Sequence, residues 1–145
     1  MEEKNELILH IYQDAEMACY TINKLMDDLK EKDNKIKKLV EDIYKEYEVW
    51  KQKAKNLLKK EQAEISENPP IAKFMAGMSI NKEVKSDNSD SAIADMLIKG
   101  ISMGSIDMEK KVSAYKDAVN SEDLKMAKDF MKFQESSIEK LKIYL

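Results

Sequence analysis

Between Leu7 and Leu29 the apolar residues Ile8, Ile11, Ala15, Ala18, Ile22, Leu25, Met26 and Leu29 recur at i, i+3, i+4, i+7, which predicts a first amphipathic helix. Glu31-Lys32-Asp33-Asn34 then lacks apolar residues, and its Asp and Asn favour a tight reversal into an antiparallel neighbour. Ile36, Val40, Ile43, Tyr47, Trp50, Ala54, Leu57 and Leu58 keep one stripe for about six turns and predict a second helix. It must stop by Asn68, because Pro69-Pro70 cannot continue a helix and Pro69 biases the residue before it away from helical angles. Past Ile93 the pattern resumes at Leu97, Gly100, Ile101, Gly104, Met108, Val112, Tyr115 and Val119, with Asp87, Ser89 or Asp90 as the cap. Asn120 with the acids that follow it opens a fourth helix, whose inner face is Ala127, Phe130, Met131, Gln134, Ile138, Leu141 and Leu145.

The segment joining the second and third of these helices, about 67–89, is far longer than the roughly two to eight residues that usually link neighbouring bundle helices. At about 3.3 Å per extended residue it is long enough to cross from one end of a bundle to the other. Two antiparallel hairpins joined by one long crossover is the ferritin-like four-helix topology. Ile71, Phe74, Met75 and Met78 add a short amphipathic helix within the crossover. The expectation is an all-α chain, with residues 1–145 forming one domain.

Composition narrows the function classes. Only 3 Gly and 2 Pro in 145 residues leave too little turn material for a many-stranded β fold. No apolar run is long enough for a membrane span or a secretory signal, and Cys19 is the only cysteine, so a reducing cytoplasmic setting is expected. The net charge of −3 supplies no field for nucleic acid, and all 25 basic residues are lysine. Without arginine's planar fork the chain is a poor reader of phosphates or bases.

A ferritin-like bundle raises the possibility of a dinuclear metal site, which takes a Glu-x-x-His on each of two helices. The chain has one histidine, His10, and no such motif. The inward positions carry Tyr47 and Trp50 on the second helix and Gln134 and Ser137 on the fourth, a degenerate set that cannot balance two divalent cations. Glu16 and Glu46 fall at the margins of their inner faces, where solvated glutamates are common. Neither a metal nor another cofactor is expected, and no Gly-rich phosphate loop or nucleophile-base set suggests catalysis.

The segments Ile11-Tyr12-Gln13-Asp14-Ala15-Glu16-Met17-Ala18, Met103-Gly104-Ser105-Ile106-Asp107-Met108-Glu109 and Ser137-Ile138-Glu139-Lys140-Leu141-Lys142-Ile143-Tyr144-Leu145 resemble a small uncharacterised bacterial family related to the ferritin-like bundles. The resemblance implies that fold. At the inner positions where the wider class carries metal-binding carboxylates and histidines this sequence departs from the pattern, so metal chemistry does not follow from it.

The remaining candidates are apolar or small. His10 is expected on the outward side of its helix, and Cys19 as a small buried hydrophobe. Most of the ten methionines follow helical phase as core, whereas Met75 and Met78, with Ile71 and Phe74, form a candidate interaction surface. Gly100 and Gly104 each cost a helix about 1 kcal/mol relative to alanine. Close approach of a neighbouring helix, against Tyr47 and Trp50, would offset that, and space for a small apolar ligand or a second subunit is the alternative. The sequence therefore points first to a non-catalytic protein working through protein contacts, as a homodimer or with another protein. A carboxylate-only metalloprotein and a carrier of a small apolar molecule are the alternatives.

Overall fold

The computed structural model describes residues 5–145, which form five α-helices: α1 Glu6–Leu29, α2 Lys37–Lys60, α3 Pro70–Ser86, α4 Asp90–Tyr115 and α5 Ser121–Lys142. No strand occurs among the described residues, so the all-α class holds, and no described helix is long and apolar enough to cross a membrane. Two helices begin on the side-chain caps their sequences offer: Ser89 accepts from the Ala92 amide at 3.2 Å and Asn120 from the Asp123 amide at 2.8 Å.

α1 is the hub and touches each of the other four helices. Its burial accordingly exceeds the single predicted stripe. Leu7, Leu9, Tyr12, Glu16 and Cys19 are buried besides Ile8, Ile11, Ala15, Ile22, Leu25 and Leu29, as a helix covered on several sides requires. α2 returns antiparallel to α1 and packs on α5 through an aromatic cluster. The Tyr47 ring meets Phe133 edge-on at 4.8 Å and Phe130 at 6.1 Å, while Trp50 meets Phe130 at 5.4 Å.

The connection between α2 and α4 departs from the expected short helix. It is helical over Pro70–Ser86, 17 residues. Pro70 sits in the first turn, where its fixed φ suits a helix, and Lys, Ala, Met and Glu carry the helix past its one interior glycine, Gly77. Its apolar residues are spread around the cylinder rather than collected in one stripe, which hides its length from a periodicity reading. The side chains of Ile71 and Phe74 lie outside the described residues. Lys73 meets Glu16 and Gly77 lies against Tyr20, so α3 runs parallel to α1. Gly104 faces Asp14 and Lys111 reaches Glu6, so α4 runs antiparallel to it.

What docks the start of α3 is a buried carboxylate. Glu16, 7% exposed, accepts from the Asn68 amide at 3.1 Å, from Asn68 Nδ2 at 3.0 Å and from Lys73 Nζ at 3.1 Å. Asn68 Nδ2 also donates to the Gln13 carbonyl at 2.8 Å, and Gln13 Nε2 to the Ser66 carbonyl at 2.9 Å. Burial opposes ionisation of Glu16, but the Asn68 and Lys73 hydrogen bonds outweigh it and hold the carboxyl below its ordinary range. Glu16 is thus no margin residue, whereas Glu46 is exposed.

Because the folded state depresses the Glu16 pKa, its contribution is present above the ordinary glutamate range and fades as pH falls through the lowered value. Asn68→Ala is expected to destabilise the protein by about 1–3 kcal/mol in urea titrations at pH 7, since it strips a hydrogen bond from a buried charge. Hydrogen exchange should show 70–86 losing protection before α1 or α2. Unchanged stability with unchanged protection of that helix would contradict this docking role.

Candidate functional site

α3 packs broadly only against α1, and it stands off from α4. Between the two, over α1, lies a cleft of about 520 Å³. Met17, Ala18, Thr21 and Ile22 of α1 form its floor, Ala76, Ser79, Ile80 and Glu83 of α3 one wall, and Met96, Leu97, Gly100, Ile101 and Met103 of α4 the other. Asp14 and Tyr47 also line it. The size falls within the roughly 300–1,000 Å³ typical of small-molecule sites, and a mostly apolar lining with a few polar groups is the usual composition.

The polar group is built from three helices. Gln134 of α5, fully buried, donates from Nε2 to Asp14 Oδ2 at 2.8 Å and lies 3.3 Å from the Tyr47 hydroxyl. Among the described residues no donor reaches the second Asp14 oxygen, and no cation pairs with this carboxylate. Gln134 Oε1 is buried and also lacks a partner. Burial pushes the Asp14 carboxyl up to about 6; the Gln134 hydrogen bond works the other way and the Asp107 charge on α4 adds to the rise. The Tyr47 hydroxyl is driven far above its ordinary range, first by burial and then by the Asp14 charge.

The predicted site residues other than Ile71 and Phe74 can be placed. Tyr47 and Gln134 come together as just described. Trp50 does not reach the glycines and instead packs on Phe130 and Phe133, with Lys53 Nζ 4.7 Å from its ring centroid. Ser137 is spent on its own helix, donating to the Phe133 carbonyl at 2.9 Å. The two glycines differ. A Cβ at Gly104 would lie 2.6 and 2.8 Å from the Asp14 oxygens, so the close approach there is to a carboxylate rather than to Tyr47 or Trp50. A Cβ at Gly100 would meet nothing within 4 Å, so no helix presses on it and it opens onto the cleft. Met75 and Met78 are 63% and 57% exposed on α3.

The single histidine is not on an open face. His10 is half-buried, its Nε2 has no hydrogen-bond partner among the described residues, and burial together with Lys111 lowers its pKa. Cys19 is buried and its thiol is pushed up to about 11, chiefly by burial, so it is a poor nucleophile. Among the described residues no three His, Cys, Asp or Glu side chains converge as a metal-binding group. The residue missed in the sequence is Asp14. Its signal was present, because Asp14 lies three residues after Ile11 and four before Ala18, within the stripe that α1 buries.

Comparisons with protein-family models, with curated proteins and with solved structures return no match to this chain.

A carboxyl whose folded-state pKa is raised lowers stability as pH climbs from the unfolded value, near 4, to the folded one, about 6. Asp14→Asn keeps an acceptor for Gln134 but carries no charge. It is expected to be more stable than the parent by about 1–2 kcal/mol at pH 8 and nearly equal to it at pH 4, read from urea midpoints across that range. A difference that does not change with pH, or a loss of stability at pH 8, would contradict the environment described for Asp14.

Proposed function

We propose that this chain is a non-catalytic binding protein that holds a small apolar molecule in the cleft between α1, α3 and α4. The observation that carries the reading is Gly100. A glycine in the interior of α4 costs about 1 kcal/mol, and no close helix contact offsets that cost at this position. Its missing side chain instead widens a cleft already lined by Met, Ile, Leu and Ala. Methionines suit such walls, because an unbranched thioether side chain re-packs around differing shapes. The pairing of α1 with α2 and of α4 with α5, with α3 carrying the chain between them, supports a ferritin-like arrangement in which α3 serves as one lip of the site. The single buried cysteine fits a reducing, cytoplasmic setting.

A second reading, self-association as a homodimer or contact with another protein, is supported by Met75 and Met78, both well exposed on α3, which among the described residues packs broadly only against α1. Met75→Asp combined with Met78→Asp is expected to lower the mass measured by light scattering if this face joins two copies, and an unchanged mass would remove it from that role.

For the cleft, isothermal titration calorimetry with 1-decanol, a neutral apolar probe, is expected to give one-site binding with a negative heat-capacity change. Gly100→Leu should keep or raise the melting temperature, since open space receives the side chain, while weakening 1-decanol binding at least tenfold. Absence of binding to the parent, or equal binding to a folded Gly100→Leu variant, would contradict the reading.

A further inference from the structure

The cleft carries charge of one sign. Its ionisable lining is acidic: Asp14 at one end and Glu83 toward the other, with Tyr47 the only other titratable group among the residues that form it. The two acids are not equivalent. Glu83 is exposed to water on α3, whereas Asp14 sits among α1, α2, α4 and α5 with one oxygen held by Gln134 and the other without a donor among the described residues. Gly104 matters here in a second way: any side chain at this position would collide with both carboxylate oxygens, so glycine is what lets Asp14 occupy its place against α4. A molecule filling the apolar cleft would strip the remaining water from that free oxygen. Such desolvation is tolerated only if the molecule brings a compensating charge or donor. From Asp14 to Ile22 the floor of α1 runs about 12 Å at the helical rise, so the cleft offers an elongated apolar track that ends on a carboxylate.

We infer that the molecule the cleft takes is an elongated apolar amine, its protonated nitrogen seated on Asp14 and its hydrocarbon body along the Met17 to Ile22 floor beneath Gly100. This rests on the proposed binding role of the cleft and specifies its ligand class. Anionic amphiphiles are excluded by the same charges, because a carboxylate or phosphate head would meet Asp14 with no lysine lining the cleft to relieve it. A neutral alcohol can offer Asp14 a hydroxyl donor but no charge, and so binds mainly through the walls. Gln134 acts as a positioning residue: its Nε2 hydrogen bond fixes Asp14 Oδ2 and so orients the free oxygen.

The test is calorimetry at pH 8 with three probes of one chain length, decylammonium, 1-decanol and decanoate, each below its aggregation threshold. The parent protein is expected to bind decylammonium at least tenfold more tightly than 1-decanol, and decanoate more weakly than either. Asp14→Asn should bind decylammonium and 1-decanol with equal affinity, and Glu83→Gln should preserve most of the preference. Equal affinities for decylammonium and 1-decanol, or a preference that survives Asp14→Asn, would overturn the amine assignment while leaving the cleft as an apolar site. Failure of all three probes to bind would overturn the binding role and the amine assignment together.

Discussion

α1 is packed against all four other helices, and this buries one of its carboxylates, Glu16, and partly buries another, Asp14. Removing a carboxylate from water costs several kcal/mol unless hydrogen bonds and an opposite charge replace the lost hydration. The fold treats the two acids in opposite ways. Glu16 receives Asn68, Lys73 and a long contact from the Tyr12 hydroxyl, and through them it fixes where α3 begins. Among the described residues Asp14 receives one amide hydrogen bond and no cation. The first is a structural clamp with its demand met; the second is a demand left open at a surface that a small molecule can reach.

The cleft follows from how α3 is held. Clamped near its start by Glu16 and pressed close to α1 at Gly77, α3 has no comparable attachment to α4, so the two helices part along α1 rather than closing over it. A Cβ at Gly77 would come within 3.3 Å of the Tyr20 hydroxyl, which shows how tightly α3 lies on α1 there. On the far side, the edge-to-face rings of Tyr47, Trp50, Phe130 and Phe133 lock α2 to α5 and give Gln134 a rigid seat. The polar group at the end of the cleft is therefore seated beside this aromatic cluster, while the α3 wall has no broad contact with α4. That division, a polar group set by three helices beside a mostly apolar wall, suits binding better than bond chemistry.

Much of the helical layout was legible, because long stripes such as Ile36 to Leu58 and caps such as Asn120 carry a strong periodic signal. α3 was less legible: with apolar residues spread around its axis and an adjacent Pro pair at its start, it looked like a linker holding a turn or two of helix. The site was less legible still. Tyr47 and Gln134 could be named as inward-facing from their phase, but their partner Asp14 stood in a stripe read only for its apolar members. The two glycines stand out within a helix by composition, yet one sequence cannot tell a glycine that admits a neighbour, as Gly104 does for Asp14, from one that borders empty space, as Gly100 does. That distinction depends on where α3 and α4 lie relative to α1, a long-range property that helical spacing does not encode.

The most direct measurement is the titration of the Asp14 side-chain carboxyl carbon by NMR in the protein without ligand. An apparent pKa close to 6 is the result expected of a carboxylate that is largely shielded from water and has no cationic partner among the described residues. A value at or below about 4 would mean that Asp14 is hydrated or already paired, and the open demand on which the cleft's role depends would not exist.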